Sequence, residues 1–353
     1  DLEALVVTHL PNLFYLSNFQ ASSGILVLTP ENGHLLVDFR YQQAVADLIA
    51  GNSFPPDIKV FDVSGSYEES LSGVIREAGW SMIGVESEHM SLRFWQWLRQ
   101  SFPGSIVETE SLVEELRIRK DSHEVGLFRE AGERIVSALM SIRRQGFSGR
   151  SEVEISREIE SCLFEVGFDG TAFSTIVASG PNSALPHAQP TSRKLRDGDL
   201  VVLDFGGKYH GYCVDVTRTV AVGRLSSEQE QLHEAVCLAQ KAALKTVRPG
   251  ILASSVDEAA RDVFRRFGLA EAFGHSTGHG LGIEVHELPR VGQRRSGGAA
   301  VSGDVILQPG MIFTVEPGAY VLGIGGVRVE DDVLVTTDGF EMLTEAPRGL
   351  SVG

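Results

Sequence analysis

Residues 201–219 read VVLDFGGKYHGYCVDVTRT. The surrounding stretch Leu200–Val222 has the pattern of a hairpin, two apolar β-rich arms with an acid on each. Asp204 stands on the first arm and Asp215 on the second. A strand as apolar as VVLDF is expected to be buried, and a buried carboxylate without a partner is costly. Asp204 therefore needs a salt bridge, a turn to cap before Gly206-Gly207, or a metal ion. On the second arm, alternation puts Cys213, Asp215 and Thr217 on one face and Val214 and Val216 on the other. Thr217 can then hydrogen-bond a metal-binding carboxylate. Cys213 is read as a small packing residue rather than a ligand.

A second unit, Met311–Thr336, repeats this arrangement. Glu316 ends the strand in IFTVEPGAY, fixed by Pro317-Gly318, and Glu330 lies in GVRVEDDVLV. Alternation sets Arg328, Glu330 and Asp332 on one face. Arg328 is expected to steer Glu330, to contact a substrate, or simply to pair with Glu330. Asp332 is given a structural role. Two such halves, each donating two acids, can build one shared site.

Helices flank these units. Asp121 with Glu124 is a start signal, followed by Val125, Phe128, Ile135, Leu139 and Ile142 at helical spacing. Ser151 with Glu154, Ser227 with Glu230, and Ser255 with Glu258 open three more; Pro249-Gly250 follows the third and Gly268 ends the fourth. Strands are expected at Thr175–Ala178, Leu200–Phe205, Tyr212–Val222, Met311–Val315 and Val327–Thr336. Helices together with antiparallel hairpins give an α+β class. At 353 residues the chain exceeds one ordinary core. Residues 1–118 read as a small α/β domain and 119–353 as the domain that carries the acids. The small domain is expected to hold strands at Ala4–Thr8, Gly24–Thr29 and His34–Val37, with helices at Tyr41–Ile49 and Tyr67–Glu77. Leu112–Lys120 reads as the connector. His9, His34 and His89 are read as isolated residues, with no ligand-type cluster before the connector.

Composition narrows the function. Apolar residues make up 42% and charged residues 22% of the chain, which describes a globular protein. No run approaches the roughly 18 apolar residues of a membrane span. A formal charge of −16 disfavours nucleic acid as partner. Three scattered cysteines give neither a disulfide framework nor a zinc ribbon, and a reducing cytoplasm is the expected compartment. The chain starts at Asp1 rather than methionine, a start compatible with a removed leader.

Residues 273–287, FGHSTGHGLGIEVHE, add three histidines among glycines: His275, His279 and His286. Four strand acids plus one histidine make five ligands, enough for two divalent ions when carboxylates bridge. Four carboxylates also balance the charge of two M²⁺. Oxygen-rich ligation favours Mn²⁺ or Co²⁺ over a thiolate-type zinc site. Two ions roughly 3.5–4 Å apart would acidify a water between them.

In their joint order and spacing, VVLDFGGKYHGYCVDVTRT, HSTGHGLGIEVHE, VEPGAY and GVRVEDDVLV resemble the pita-bread metallopeptidases, which include methionine aminopeptidase, aminopeptidase P and prolidase. The resemblance covers nearly the whole chain. It implies a creatinase/prolidase-type N-terminal domain and a C-terminal domain with a pseudo-twofold antiparallel sheet and flanking helices. It implies two divalent metal ions per subunit, Mn²⁺ foremost with Co²⁺ or Zn²⁺ as alternatives, on Asp204, Asp215, His279, Glu316 and Glu330. Glu316 would also carry a proton. His286 would act near the scissile carbonyl, and His187 in LPHAQP and His275 would face the substrate. Arg328 and Tyr320 look like the Xaa-Pro-specific branch. Within it, an aminopeptidase acting on peptides with proline in second position is placed ahead of an Xaa-Pro dipeptidase. Creatinase-like chemistry and a non-catalytic binding module rank lower. The resemblance also implies a homodimer. Phe94–Trp97, with Trp80, would then be either a subunit contact or, preferably, filling for the small domain's own core.

Overall fold

The structure, a computed structural model, describes residues 2–294 and 304–350. They fall into two compact units, Asp1–Arg117 and Ile118–Gly353.

The first unit is built on a six-stranded mixed sheet. Its strands are β1 (Ala4–Val7), β2 (Ile25–Leu28), β3 (Gly33–Asp38), β4 (Ile58–Val63), β5 (Met82–Glu86) and β6 (Ser105–Thr109), in the order β4-β3-β2-β1-β5-β6. The β1–β2–β3 meander is antiparallel; β4, β5 and β6 join in parallel. Parallel pairing needs crossovers; helices α1 (Leu10–Ser17), α2 (Gln42–Ala50), α3 (Tyr67–Ala78) and α4 (Leu92–Ser101) lie in the connections, and α5 (Glu114–Arg117) follows β6. The sequence reading found the meander and two of the helices, but not β4, β5 or β6. Phe94, Trp95, Trp97 and Trp80 are partly buried against the core of Val6, Val27, Ile83 and Leu98. They fill this unit's own core, the preferred of the two expectations. One reading is corrected here: His9 and His89 are not isolated. Their rings stack with centroids 3.6 Å apart, beside Glu114.

In the second unit, helices α6 (Ser122–Arg144) and α7 (Glu152–Glu165) pack on β9 (Asp199–Tyr209) and β10 (Tyr212–Val222). The short strands β7 (Gly170–Thr171) and β8 (Ile176–Ser179) flank β9. Helices α8 (Ser227–Thr246) and α9 (Ala253–Arg266) share a second core with β13 (Ile312–Val315) and β16 (Asp331–Val335). These two strands belong to the five-stranded sheet β12-β11-β13-β16-β17, with β11 (Gly278–Gly280), β12 (Glu287–Val291) and β17 (Phe340–Met342). A separate hairpin pairs β14 (Gly318–Val321) with β15 (Gly325–Arg328). Among the described residues, all strand pairings in this unit are antiparallel. The fold is the expected α+β arrangement.

Local chemistry explains the helix starts. Asp121 with Glu124 and Ser151 with Glu154 form reciprocal capping boxes, as the sequence indicates. Two starts are corrected. The third box is Ser226 with Gln229, one residue earlier than expected, because Gln229 returns the bond to the Ser226 N–H. The fourth helix begins at Ala253 without a side-chain cap, so Ser255 lies inside it. The expected strand Val327–Thr336 is also corrected. It breaks after Arg328, and Glu330 crosses to bridge Thr217 of β10. That crossing joins the two halves of the unit.

The join is held by Arg218, which has no exposed surface. Its guanidinium donates to the carbonyls of Thr217, Glu330 and Ala346 and pairs with buried Asp331. Asp331 also accepts from Gln240 at 2.8 Å and Arg348 at 3.0 Å. Removing Arg218 takes away the fully buried cation of this charge balance and leaves the three carbonyls without their donor. Arg218→Met is expected to cost about 3 kcal/mol, read as a lower denaturant midpoint, with Asp331 left to Arg348 and Gln240 alone.

Candidate metal centre

The β9–β10 register pairs Asp204 with Thr217 and Asp215 with Gly206. Directly opposed residues share a face, so both acids point off the same side of the hairpin as Thr217. Thr217 Oγ1 donates to Glu330 Oε2 at 2.5 Å, and the Asp215 N–H donates to Asp332 Oδ2 at 3.0 Å. His279 sits in the middle of β11. Gly278 lets this short strand approach β13: a Cβ there would fall 1.8 Å from the Thr314 carbonyl oxygen. Thr314 Oγ1 then accepts the His279 N–H at 3.1 Å. Helix α9 fixes the preceding residues. Buried Asp257 accepts the Thr277 N–H at 3.0 Å and hydroxyl at 2.9 Å, and the Thr277 carbonyl accepts the Glu316 N–H at 2.7 Å.

These elements converge on a cavity of about 600 Å³ lined by Asp204, Asp215, His279, Glu316 and Glu330, together with His187, His275, His286 and Arg328. One ligand atom each from Asp215, His279 and Glu330 lies within 4.8 Å of the others. Glu316 Oε1 lies 3.5 Å from His279 Nε2. Asp204 Oδ2 is paired with Arg328. The donor set fits divalent cations. Asp215 Oδ1 and Glu330 Oε1 are buried and accept no hydrogen bond, and such orphaned oxygens are costly without a positive partner. Burial, then repulsion from Glu330 and Asp204, pushes Asp215 well above the usual carboxylate range. Burial and repulsion from Glu316 and Asp204 push Glu330 the same way. Burial raises Glu316 to about 8, against the opposing pull of Arg328. Burial and neighbouring His286 lower His279 to about 4, so its imidazole is neutral and able to ligate.

The remaining sequence candidates divide. His187 and His286 are exposed on the cavity wall, and the His286 ring centroid is 4.3 Å from that of His279. His275 lies deeper, bonded through Nε2 to the Tyr320 hydroxyl at 3.0 Å. Tyr320 stands behind the wall: its hydroxyl also accepts from Arg328 at 2.7 Å. The Arg328 guanidinium is consumed by Asp204, Tyr320, Thr217 and the Pro186 carbonyl. Alternation set Arg328 beside Glu330; the break after β15 turns it toward Asp204 instead. Asp332 supports the Asp215 backbone, the structural role expected of it.

One residue escaped the sequence reading. Arg290 on β12 is the register partner of His279 and lines the same cavity. It donates to the Gln293 carbonyl at 3.2 Å, and among the described residues it pairs with no carboxylate. Only the cross-strand register could have pointed to it.

Known proteins bear out the family that the motifs suggested. The model of metallopeptidase family M24 matches residues 126–337, more than half the chain, and that of the creatinase/prolidase N-terminal domain matches residues 1–119. The chain belongs to metallopeptidase family M24. It is 33% identical over 355 residues to an Xaa-Pro dipeptidase of Pyrococcus horikoshii, covering 99% of this chain and 95% of that one. The solved Xaa-Pro dipeptidase of Bacillus anthracis superimposes with a TM-score of 0.92 at 33% identity, covering 99% and 94%. The X-Pro aminopeptidase of Thermotoga maritima does so at 0.89 and 32%, covering 100% and 98%.

The shifted groups set a pH dependence. Glu316, raised from 4.5 to about 8, contributes stability that is full below about 4.5 and lost as pH climbs through 8. His279, lowered from 6.5 to about 4, contributes stability that is full above 6.5 and lost as pH falls toward 4. Of these two, only the Glu316 loss operates between pH 6.5 and 8. Protein treated with a chelator should therefore melt at progressively lower temperature across that window. Adding a divalent metal should abolish the fall.

Proposed function

We propose that this chain is an Xaa-Pro dipeptidase working through two divalent metal ions held by Asp204, Asp215, His279, Glu316 and Glu330, with Thr217 orienting Glu330. Mostly oxygen donors favour Mn²⁺, with Co²⁺ or Zn²⁺ as alternatives. When bound, such ions lower the pKa of water and polarise the amide carbonyl. The observation that carries the choice of substrate is Arg290, a cation on the cavity wall beside His279 without a carboxylate partner among the described residues. It suits the free C-terminal carboxylate that a dipeptide presents close to its scissile bond. The Pyrococcus and Bacillus relatives named as dipeptidases support the same choice. This reverses the order favoured by the motifs alone, which put aminopeptidase P first on general likeness. The aminopeptidase reading keeps support from the Thermotoga relative.

The chain's own groups then divide the work. Glu316 takes a proton from the attacking water at its carboxylate and delivers it to the leaving nitrogen. Its carboxylate lines the cavity beside His279, within the donor set that would hold that water. Proton delivery matters because the proline nitrogen of an Xaa-Pro bond carries no N–H of its own. His286 donates a hydrogen bond to the oxygen on which charge develops. His187 and His275 line the substrate side, with Tyr320 fixing the His275 ring. Arg328 holds Asp204 in place rather than meeting substrate.

In Mn²⁺, an Xaa-Pro dipeptide should be cleaved and an Xaa-Pro-Xaa tripeptide spared, with an Xaa-Ala-Xaa control inert. Release of the first residue from the tripeptide would instead establish the aminopeptidase. Arg290→Met should raise the dipeptide KM about 10- to 100-fold, the loss of one charge-assisted contact; an unchanged KM would remove the dipeptidase reading. Glu316→Gln, checked by elemental analysis to retain its metal, should nearly abolish kcat. Near-normal turnover in that protein would dismiss the proton transfer.

A further inference from the structure

The stacked histidines of the first unit also face a carboxylate. His9 directly precedes α1 but does not use its side chain to cap the helix. His89 lies in the turn between β5 and α4, and Glu114 opens α5. His89 Nε2 is 2.9 Å and His9 Nδ1 3.8 Å from Glu114 Oε1. One ligand atom from each of the three residues lies within 4.8 Å of the others. The carboxylate is fixed from behind: Asn12 Nδ2 donates to Glu114 Oε1 at 2.6 Å, and buried Arg117 donates to Asn12 Oδ1 at 2.6 Å. Burial raises the Glu114 pKa, but the bonds from Asn12 and His89 outweigh it and leave a net lowering, so the group is ionised at neutral pH.

Two imidazole nitrogens and one anchored carboxylate, with water at a fourth position, are a donor set for a tetrahedral d-block cation. We propose that His9, His89 and Glu114 bind one divalent d-block cation, separate from the catalytic centre and selective for Zn²⁺ or Ni²⁺ over Mn²⁺. The selectivity follows from the donors, since imidazole suits Zn²⁺ and Ni²⁺ while carboxylate-rich sites suit Mn²⁺. The rings are parallel, and a parallel stack cannot aim both in-plane lone pairs at one ion. Binding therefore turns the exposed His89 ring out of the stack, while Glu114 stays where Asn12 holds it. The bound ion ties together the start of α1, the β5–α4 turn and α5, segments far apart in sequence.

The test uses the full chain equilibrated with Zn²⁺, dialysed, and counted by elemental analysis. His89→Ala and His9→Gln should each hold one zinc fewer per chain than the unaltered protein. Their Mn²⁺ content and Mn²⁺-dependent hydrolysis should be unchanged. Equal zinc in all three proteins would overturn the site. So would a zinc loss in both variants that removes hydrolysis as well, because the missing ion would then belong to the catalytic centre. The zinc count is independent of which peptide the enzyme cleaves, so the substrate assignment can fail without touching this one.

Discussion

The mutual repulsion of buried carboxylates is the constraint on which the second unit depends. Asp215, Glu330 and Asp332 are each less than about a tenth exposed, and each leaves one oxygen without a donor. In a low-dielectric interior such groups resist ionisation and destabilise the fold. The surrounding architecture limits that cost. Arg328 neutralises Asp204, Thr217 donates to Glu330, and the Asp215 N–H donates to Asp332. These supports leave the inward-facing oxygens exposed to one another, the condition under which a divalent cation binds and stabilises a folded protein at the same time.

The two halves of the unit are arranged around this cluster. Each brings a pair of helices and a set of antiparallel strands, and each contributes acids. Arg218 and the Thr217–Glu330 bridge fasten them where the acids meet. The fastening is polar and fully buried, so it tolerates little change in geometry. A rigid frame suits a centre whose ligand atoms must stay within a few tenths of an ångström of productive positions.

The cavity wall is made on different terms from its floor. The floor acids sit on or between paired strands, Asp204 and Asp215 on the long β9 and β10 and Glu316 and Glu330 at strand ends, whereas His187 and Arg290 are exposed and, with His286, project from loops or a short edge strand. Exposed polar groups on connecting segments, carried by a rigid scaffold, are a common arrangement in enzymes. Two arginines show the contrast. Arg328 is buried and bonded to four groups around the floor; Arg290 is exposed and, among the described residues, bonds only the Gln293 carbonyl.

Much of this was legible in the chain itself. The acids Asp204, Asp215, Glu316 and Glu330 announce themselves because a charged residue inside an apolar β-run needs a reason to be there. The capping boxes at Asp121 and Ser151 are readable because the partners lie three residues apart. Local spacing carries that information, and it sufficed for the α+β class and for the family. What it could not carry was long-range pairing. The strand break after Arg328, the turn of that side chain toward Asp204, and the withdrawal of Tyr320 behind His275 all follow from contacts between distant segments. So does the meeting of His9, His89 and Glu114, separated by some eighty and twenty-five positions. Arg290 reached the cavity only because β12 pairs with β11 in one particular register. The sequence by itself determined which residues carry charge, where several helices start and the hairpin that carries Asp204 and Asp215, since those depend on neighbours along the chain. Tertiary structure alone decided which charges face one another, because that depends on sheet register and on how the two halves close.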